Sequence, residues 1–304
     1  MEQRRPIAVL GCGLIGESWA ALFMAHGYDV RAWDPSPEVL AGFAAKLERP
    51  LSQLAELGCD PGARGRLLLA GSVREAVSGT AFVQENAPEN IPLKRALYAE
   101  IEAEAPADTL IASSTSALTW SELSPGMCSP ERLLTAHPFN PPHLVPLVEL
   151  YGISERSLEQ AEIFYRSLGR KPVRLKKDAV GHIANRLASA LWREAVHIVA
   201  EGIAEVGDVD AALMHGPGLR WSVMGAHMTY HLGGGQGGMA HYLRHLGPSQ
   251  ARRWASLGTP QLTEAVCEAL IHGVNEEAAG RSVSELEAER DALLIKALQA
   301  RGRG

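Results

Sequence analysis

The chain has 304 residues, of which 46% are hydrophobic and 21% charged, and its formal net charge is −6. This length suits two domains or one large domain, and the apolar content is sufficient to fill a buried core. A negative net charge with scattered basic residues argues against nucleic acid and against an anionic membrane surface as partners.

The cysteines and the apolar runs point to a cytoplasmic protein. The four cysteines show no C-x-x-C spacing, so we expect neither a disulfide nor a metal site. Free thiols fit a reducing compartment. The first apolar run, residues 6–10, is too short for a signal-peptide core, and no run approaches the length of a membrane span.

The N-terminal half alternates short apolar runs with helical stretches. Residues 6–10 are predicted to form a buried strand, residues 17–26 a helix and residues 28–33 a second strand. This alternation is typical of a parallel, doubly wound sheet. Further strands are predicted at residues 81–83, 110–112, 133–136 and 145–150, and helices at 35–57 and 92–105.

The pattern changes after Leu150. We predict a helix over residues 155–168 and a short strand over 171–175, and from residue 183 almost everything has helical periodicity. The predicted fold class is therefore α/β, with an N-terminal Rossmann-type doubly wound sheet followed by an all-helical C-terminal domain. We place the domains at residues 1–180 and 181–304. The helices of the second domain are predicted at residues 183–206, 209–214 and 284–300, with a glycine-rich break at 233–238.

A dinucleotide fingerprint follows the first predicted strand. Gly11-Cys12-Gly13-Leu14-Ile15-Gly16 fits G-x-G-x-x-G, and it opens a predicted helix whose free amides suit a pyrophosphate. Asp34 ends the second strand, where its carboxylate suits ribose hydroxyls and repels a 2′-phosphate. No arginine follows Asp34 directly, so the sequence favours NAD over NADP.

A histidine and a carboxylate flank a proline-rich turn. His137 begins the sequence His-Pro-Phe-Asn-Pro-Pro, and the apolar run after it ends at Glu149. Two extended segments joined by a rigid turn can bring these side chains together. A histidine held by a carboxylate is typical of a general base that works near neutral pH.

Polar segments also follow other predicted strands. Residues 113–116 (Ser-Ser-Thr-Ser) and residues 85–90 (Glu-Asn-Ala-Pro-Glu-Asn) each come after an apolar run, at the sheet edge where such folds bind ligands. Asn185 lies near the start of the long C-terminal helix. Serine-rich turns and asparagines at helix starts also serve as helix caps, which is the alternative interpretation of both features.

These motifs in this order resemble the 3-hydroxyacyl-CoA dehydrogenase superfamily over nearly the whole chain. The likeness includes Gly-His-Ile-Ala-Asn-Arg at residues 181–186. Within the superfamily the chain is similar to the branch that contains L-carnitine 3-dehydrogenase and L-gulonate 3-dehydrogenase (lambda-crystallin). The segments 216–221, 229–232, 237–239 and 282–287 look closer to carnitine dehydrogenases.

The resemblance implies a role for each matching residue. His137 would remove the proton from a substrate 3-hydroxyl, and Glu149 would orient and stabilise the imidazolium that forms. Ser116 and Asn185 would hydrogen-bond the reacting oxygen and the histidine. Glu85 would lie near the nicotinamide ribose of NAD.

The substrate is less constrained by the sequence. An acyl-CoA requires basic residues, and residues 35–66 contain a single lysine, Lys46, with three arginines. A small 3-hydroxy acid is therefore favoured. Arg220 is a candidate clamp for its carboxylate, and Trp221, Tyr230 and Phe139 are candidates for an aromatic wall around a trimethylammonium group. A structural salt bridge for Arg220, and core packing for the aromatic residues, are the alternatives.

The residues and the resemblance together predict an NAD-dependent L-3-hydroxy acid dehydrogenase that forms a homodimer, and the resemblance implies that L-carnitine is oxidised to 3-dehydrocarnitine. L-gulonate and a short 3-hydroxyacyl-CoA such as 3-hydroxybutyryl-CoA are the alternative substrates. A non-catalytic, NAD-binding crystallin-like protein is the alternative of another class. The remaining histidines are interpreted as surface, interface or core residues: His182, His197, His215, His227, His231, His241 and His245.

Overall fold

The structure is a computed structural model that describes residues 4–59 and 64–302. The chain forms two compact units. The first runs to Arg186 and resumes at Asp291, and the second is Leu187–Arg290. The predicted domain division after residue 180 stays a prediction. Within the described ranges, no helix is long and apolar enough to cross a membrane.

The first unit is built on an eight-stranded sheet. Its strands are β1 (Ile7–Leu10), β2 (Val30–Trp33), β3 (Leu67–Leu69), β4 (Phe82–Glu85), β5 (Leu110–Ser113), β6 (Leu133–Pro138), β7 (Leu147–Tyr151) and β8 (Lys171–Arg174). Their order is β3-β2-β1-β4-β5-β6-β7-β8, so the direction of winding reverses between β1 and β4. Such a switch point opens a crevice at the carboxyl ends of the strands, where ligands bind.

The sheet is mostly rather than wholly parallel. Every neighbouring pair is parallel except β6 and β7, which are antiparallel. The prediction of a parallel sheet is therefore wrong at this pair. The reason is the short connection over residues 139–146, because a parallel pair requires a crossover of about a dozen residues or more.

Both faces of the sheet are covered, and β1 shows why. Successive side chains of a strand point to opposite faces. Ile7 and Val9 pack in the cluster that contains Trp19, whereas Ala8 and Leu10 pack in the cluster that contains Tyr98. All four residues of β1 are buried. Burying one large aliphatic side chain contributes about 1.5–3 kcal/mol, which fixes β1 at the centre of the sheet.

Helices connect the strands and continue beyond them, which confirms the predicted fold class. Those of the N-terminal half are α1 (Leu14–Ala25), α2 (Pro37–Ala41), α3 (Phe43–Lys46), α4 (Glu48–Glu56), α5 (Val73–Val77), α6 (Ile91–Glu104), α7 (Trp120–Leu123) and α8 (Glu155–Ser167). Those after the sheet are α9 (Ala184–Ala200), α10 (Val206–His215), α11 (Pro217–Trp221), α12 (Ala226–Gly233), α13 (Gly238–His245), α14 (Gly247–Ser256), α15 (Glu264–Ala278) and α16 (Val283–Ala300).

Two predicted helices are interrupted. The stretch predicted as one helix over residues 35–57 is divided into α2, α3 and α4. Pro50 has no amide hydrogen to donate to the carbonyl of Lys46, the last residue of α3. The helix predicted over residues 183–206 ends at Ala200, because Gly202 adopts a left-handed backbone with φ +63°. The edge strand β3 was not predicted.

Candidate active site

A cavity of about 420 Å³ opens at the carboxyl ends of the central strands. Residues 86–89 after β4, 114–116 after β5 and 137–140 at the end of β6 line it, together with Ile15 of α1 and Asn185 of α9. The predicted polar segments therefore meet at one edge of the sheet, as expected for parallel strands.

His137 and Glu149 face one another across the antiparallel pair. They are register partners in β6 and β7, and Nδ1 of His137 lies 2.8 Å from Oε2 of Glu149. Directly opposed side chains on neighbouring strands are close enough for such a contact. Both residues are buried, and His137 also lines the cavity. The two side chains meet through strand pairing, and the proline-rich turn only connects the strands.

The other oxygen of Glu149 is held by the chain at the start of α9. Oε1 accepts hydrogen bonds from the amides of Ile183 and Ala184 at 2.7 and 2.9 Å. Burial raises the pKa of the Glu149 carboxyl, but the bonds from His137 and from these two amides lower it further than burial raises it. The group is therefore ionised near neutral pH. A carboxylate only accepts, so Nδ1 of His137 donates and Nε2 is the basic nitrogen.

Ser116 and Asn185 line the same cavity and are joined to each other. Nδ2 of Asn185 donates to the Ser116 carbonyl at 3.2 Å, and the Ser116 hydroxyl donates to Oε1 of Glu89 at 2.9 Å. Among the residues that the structure describes, the hydrogen-bond partners of these two side chains do not include His137. Their predicted contact with the histidine and with the reacting oxygen stays a prediction.

Glu89 is a site residue that the sequence interpretation missed. It is the second glutamate of Glu-Asn-Ala-Pro-Glu-Asn, it lines the cavity, and it also accepts hydrogen bonds from the Thr115 hydroxyl and the Ser116 amide. Burial raises the pKa of the Glu89 carboxyl, whereas these bonds and nearby Lys94 lower it, with a net downward shift. The signal was present, since Glu89 follows the same strand as Glu85.

Glu85 has a different environment from the one expected. It is fully buried at the end of β4, and Oε1 accepts from Nζ of Lys94 at 2.7 Å. Oε2 accepts from the hydroxyls of Tyr98 and Ser113, each at 2.7 Å. A carboxylate enclosed by these donors has no free face for a ribose, so the structure favours a structural role of Glu85 over the predicted role in binding NAD. Glu85 instead joins α6 to the sheet.

The glycine loop fits a pyrophosphate. Gly11 has φ +90°, and a Cβ there would lie 2.7 Å from the Asn86 carbonyl oxygen. A Cβ at Gly16 would lie 1.9 Å from the Gly11 carbonyl oxygen, so the start of α1 approaches the loop backbone this closely only without one. A Cβ at Gly13 would meet no protein atom within 4 Å. The Gly13 backbone and the free amides at Leu14 and beyond are therefore open to an anion.

Asp34 lies beside this loop, after the end of β2. Its Oδ2 accepts from the Cys12 amide at 2.8 Å and its Oδ1 accepts from the Ser36 amide at 3.0 Å. These bonds fix the carboxylate, and each oxygen retains a lone pair for a ribose hydroxyl. The neighbouring Cys12 thiol is unreactive, since burial first and the Asp34 charge second raise its pKa to about 12.

The candidate substrate residues fall into both units. Phe139 lines the cavity, and its ring meets the His137 ring edge-on at 6.2 Å between centroids. Arg220 and Trp221 end α11 in the second unit, where both side chains are exposed. Tyr230 belongs to α12, and its ring packs against that of Tyr242 with 5.1 Å between the centroids. The roles of these four residues in substrate binding stay predictions.

Comparisons with known proteins identify the family. The model of the 3-hydroxyacyl-CoA dehydrogenase NAD-binding domain matches residues 6–179, and that of the 3-hydroxyacyl-CoA dehydrogenase C-terminal domain matches residues 181–276. L-carnitine dehydrogenase of Streptomyces griseus is 45% identical over 99% of this chain and 91% of that protein. L-carnitine dehydrogenase of Pseudomonas aeruginosa is 43% identical over 97% of this chain and 94% of that protein.

Solved structures agree with this relationship. The 5-dehydrogenase of 5-formyl-3-hydroxy-2-methylpyridine 4-carboxylic acid, an NAD⁺-dependent dismutase, superposes with a TM-score of 0.85 at 28% identity. The superposition covers 98% of each chain. The Escherichia coli 3-hydroxybutyryl-CoA dehydrogenase superposes with a TM-score of 0.60 at 27% identity, over 69% of this chain and 46% of that one. The protein therefore belongs to the 3-hydroxyacyl-CoA dehydrogenase family and is an NAD-dependent oxidoreductase.

Proposed function

We propose that this protein oxidises the 3-hydroxyl of L-carnitine to the ketone of 3-dehydrocarnitine, with NAD as cofactor. The observation that carries the proposal is the His137–Glu149 pair, which borders a cavity beside the dinucleotide loop. The relatives at 40–45% identity that are named L-carnitine dehydrogenase support the choice of substrate.

His137 is the general base in this proposal. Its Nδ1 donates to Glu149, so Nε2 accepts the proton of the substrate hydroxyl. The ionised carboxylate then stabilises the imidazolium that results. NAD, when bound, supplies the acceptor for the hydride that leaves the carbinol carbon. A positioned base of this kind accelerates a reaction by about 10²–10⁴-fold.

Ser116 and Asn185 orient the reacting oxygen in this proposal. Both line the cavity with His137, and the hydrogen bond from Asn185 to the Ser116 carbonyl links the two. The Ser116 hydroxyl donates to Glu89 in the structure, and by rotating it can instead donate to the reacting oxygen, whose own proton goes to Nε2 of His137.

One end of the substrate is assigned to Phe139, which lines the cavity beside His137. We place the trimethylammonium group against its ring, since quaternary ammonium ions prefer aromatic faces.

We also propose a homodimer. Large apolar side chains of the second unit are widely exposed, including Leu187 at 67%, Trp192 at 58% and Trp254 at 66%. In α15 no residue is buried. Exposure of so many apolar side chains to water is unfavourable in free energy. A second copy of the chain that covers this surface buries them. Sedimentation equilibrium should give twice the chain mass, and a monomer at micromolar concentration would contradict the proposal.

A cytoplasmic location completes the proposal. The cysteines of the chain carry free thiols, with Cys12 buried and Cys128 exposed. An exposed free thiol persists most readily in a reducing compartment.

The substrate assignment is tested with purified protein and NAD. NADH formation is measured with L-carnitine, D-carnitine, L-gulonate and L-3-hydroxybutyryl-CoA at equal concentrations. We expect turnover of L-carnitine to exceed that of the other compounds by at least about tenfold in kcat/KM. Preferential turnover of the CoA ester or of L-gulonate would replace the proposed substrate. NAD binding without turnover of any of them would favour a structural protein.

A further inference from the structure

His182 has a strained position beside the site. It lies in the turn before α9, and only 1% of its surface is exposed. Its φ is +50°, in the left-handed region that few residues other than glycine adopt. A strained backbone of this kind persists when the surrounding contacts hold it, and such residues cluster at functional sites.

The hydrogen bonding of His182 fixes its tautomer. Nε2 lies 3.1 Å from the carbonyl oxygen of Thr115. A carbonyl only accepts, so Nε2 carries the proton and Nδ1 holds a lone pair when the ring is neutral. Nδ1 is buried and has no hydrogen-bond partner among the residues that the structure describes. An imidazolium would leave a buried N–H unsatisfied there, which favours the neutral ring.

His182 also contacts the base. Its ring centroid lies 4.9 Å from that of His137, with the two planes tilted by 41°. The next two residues donate their amides to Glu149, and Asn185 donates to the Ser116 carbonyl. His182 is thus the first of four consecutive residues that join the Ser113–Ser116 loop to the His137–Glu149 pair.

We propose that His182 is a positioning residue of the dehydrogenase reaction. Its Nε2–H holds the Thr115 carbonyl, and through it the Ser116 loop, in register with the base, while its neutral ring packs beside His137. This inference rests on the proposed function, because His137 must act as the base. We assign His182 no direct contact with substrate or NAD.

Charge explains why a neutral ring suits this position. Burial lowers the pKa of His182. The bond to Thr115 and the charges of Glu149 and Asp178 raise it, the charge of His137 lowers it, and the net shift is downward. His137 becomes cationic when it accepts the substrate proton. A second cation at this distance would oppose that step, whereas a neutral imidazole does not.

Two variants separate the hydrogen bond from the ring. His182→Gln places an amide nitrogen near the position of Nε2 and keeps the donor, whereas His182→Phe keeps a ring but loses the donor. We expect kcat in H182F to fall by about tenfold or more, while H182Q stays within about threefold of the wild type. The dissociation constant of NAD should change little in either variant. Wild-type kcat in H182F, or equal losses in both variants, would overturn the proposal.

A second measurement does not depend on turnover. Nitrogen-15 NMR of the labelled full-length protein reports the protonation of each ring nitrogen. We expect His182 to be neutral and protonated at Nε2 at neutral pH. An imidazolium, or a ring protonated at Nδ1, would overturn the proposal. If the wild type oxidises no 3-hydroxy acid while the NMR result is as expected, the proposed function fails and the tautomer assignment stands.

Discussion

Nδ1 of His137 lies 2.8 Å from Oε2 of Glu149, and the second oxygen of that carboxylate is held by the amides of Ile183 and Ala184. The Glu149 carboxylate therefore connects His137 of the neighbouring strand to the start of α9. The same contacts that orient the base also attach the segment that carries His182 and Asn185. Orientation of the base and local stability are consequently linked through one residue, Glu149.

Glu149 should make stability depend on pH in a defined direction. Its pKa is lowered in the folded protein, so its contribution to the free energy of unfolding is complete above the ordinary glutamate value of about 4.3. The contribution is lost as the pH falls through the folded-state pKa. Urea unfolding of the wild type and of Glu149→Gln should show a difference that shrinks over this acidic range. A difference that grows towards acid would contradict the assignment.

Replacing Asp34 should alter the choice of cofactor. Asp34→Ala removes the carboxylate that we assign to the ribose hydroxyls and that repels a 2′-phosphate. We expect weaker NAD binding and a smaller preference for NAD over NADP, measured as the ratio of the two kcat/KM values. Asp34→Asn is the matched control for charge, since it retains the side-chain volume. An unchanged ratio in both variants would place the ribose contact elsewhere.

Two glycines of one loop should respond differently to alanine. A Cβ at Gly13 meets no protein atom within 4 Å, whereas a Cβ at Gly16 would lie 1.9 Å from a backbone oxygen. Gly13→Ala should therefore weaken NAD binding and leave the unfolding free energy nearly unchanged. Gly16→Ala should lower that free energy by about 1–3 kcal/mol even without NAD. Thermal unfolding with and without NAD separates the two effects, and the reverse pattern would contradict the loop assignment.

Glu85 should prove structural. Its carboxylate is enclosed by Lys94, Tyr98 and Ser113. Breaking a buried ion pair by removing one partner costs about 3–5 kcal/mol. We expect Glu85→Gln to lower the free energy of unfolding by a cost of this kind, with little change in the NAD dissociation constant of the folded fraction. A stable variant that binds NAD weakly would instead support a direct contact with the cofactor.

The sequence predicts the candidate site best where polar or ionisable residues stand at the ends of apolar runs. His137 follows one apolar run and Glu149 ends the next, and the antiparallel register of β6 and β7 places the two side chains opposite each other. The glycine loop was predictable because each glycine meets a steric or ligand requirement that other residues fail. The arrangement of the NAD-binding sheet follows from the same alternation of apolar runs.

Other features depend on tertiary contacts that periodicity does not encode. Glu85 ends β4 and Glu89 follows it. Glu85 is enclosed by donors that include Lys94 of α6, whereas Glu89 binds the loop after β5. His182 was interpreted only as a surface, interface or core residue, because its hydrogen-bond partner Thr115 lies 67 residues away in the sequence. The antiparallel direction of β7 depends on the length of a loop rather than on the strand itself.

NADH formation from L-carnitine by the wild type and by His137→Asn tests the central claim most directly. Asparagine retains a polar side chain near Glu149 but cannot accept the hydroxyl proton as a base. We predict turnover by the wild type and a fall in kcat of about 10²–10⁴-fold in H137N. The NAD dissociation constant of H137N should stay within about threefold of the wild-type value. Near-normal oxidation of L-carnitine by H137N, or no oxidation by an NAD-binding wild type, would contradict the account.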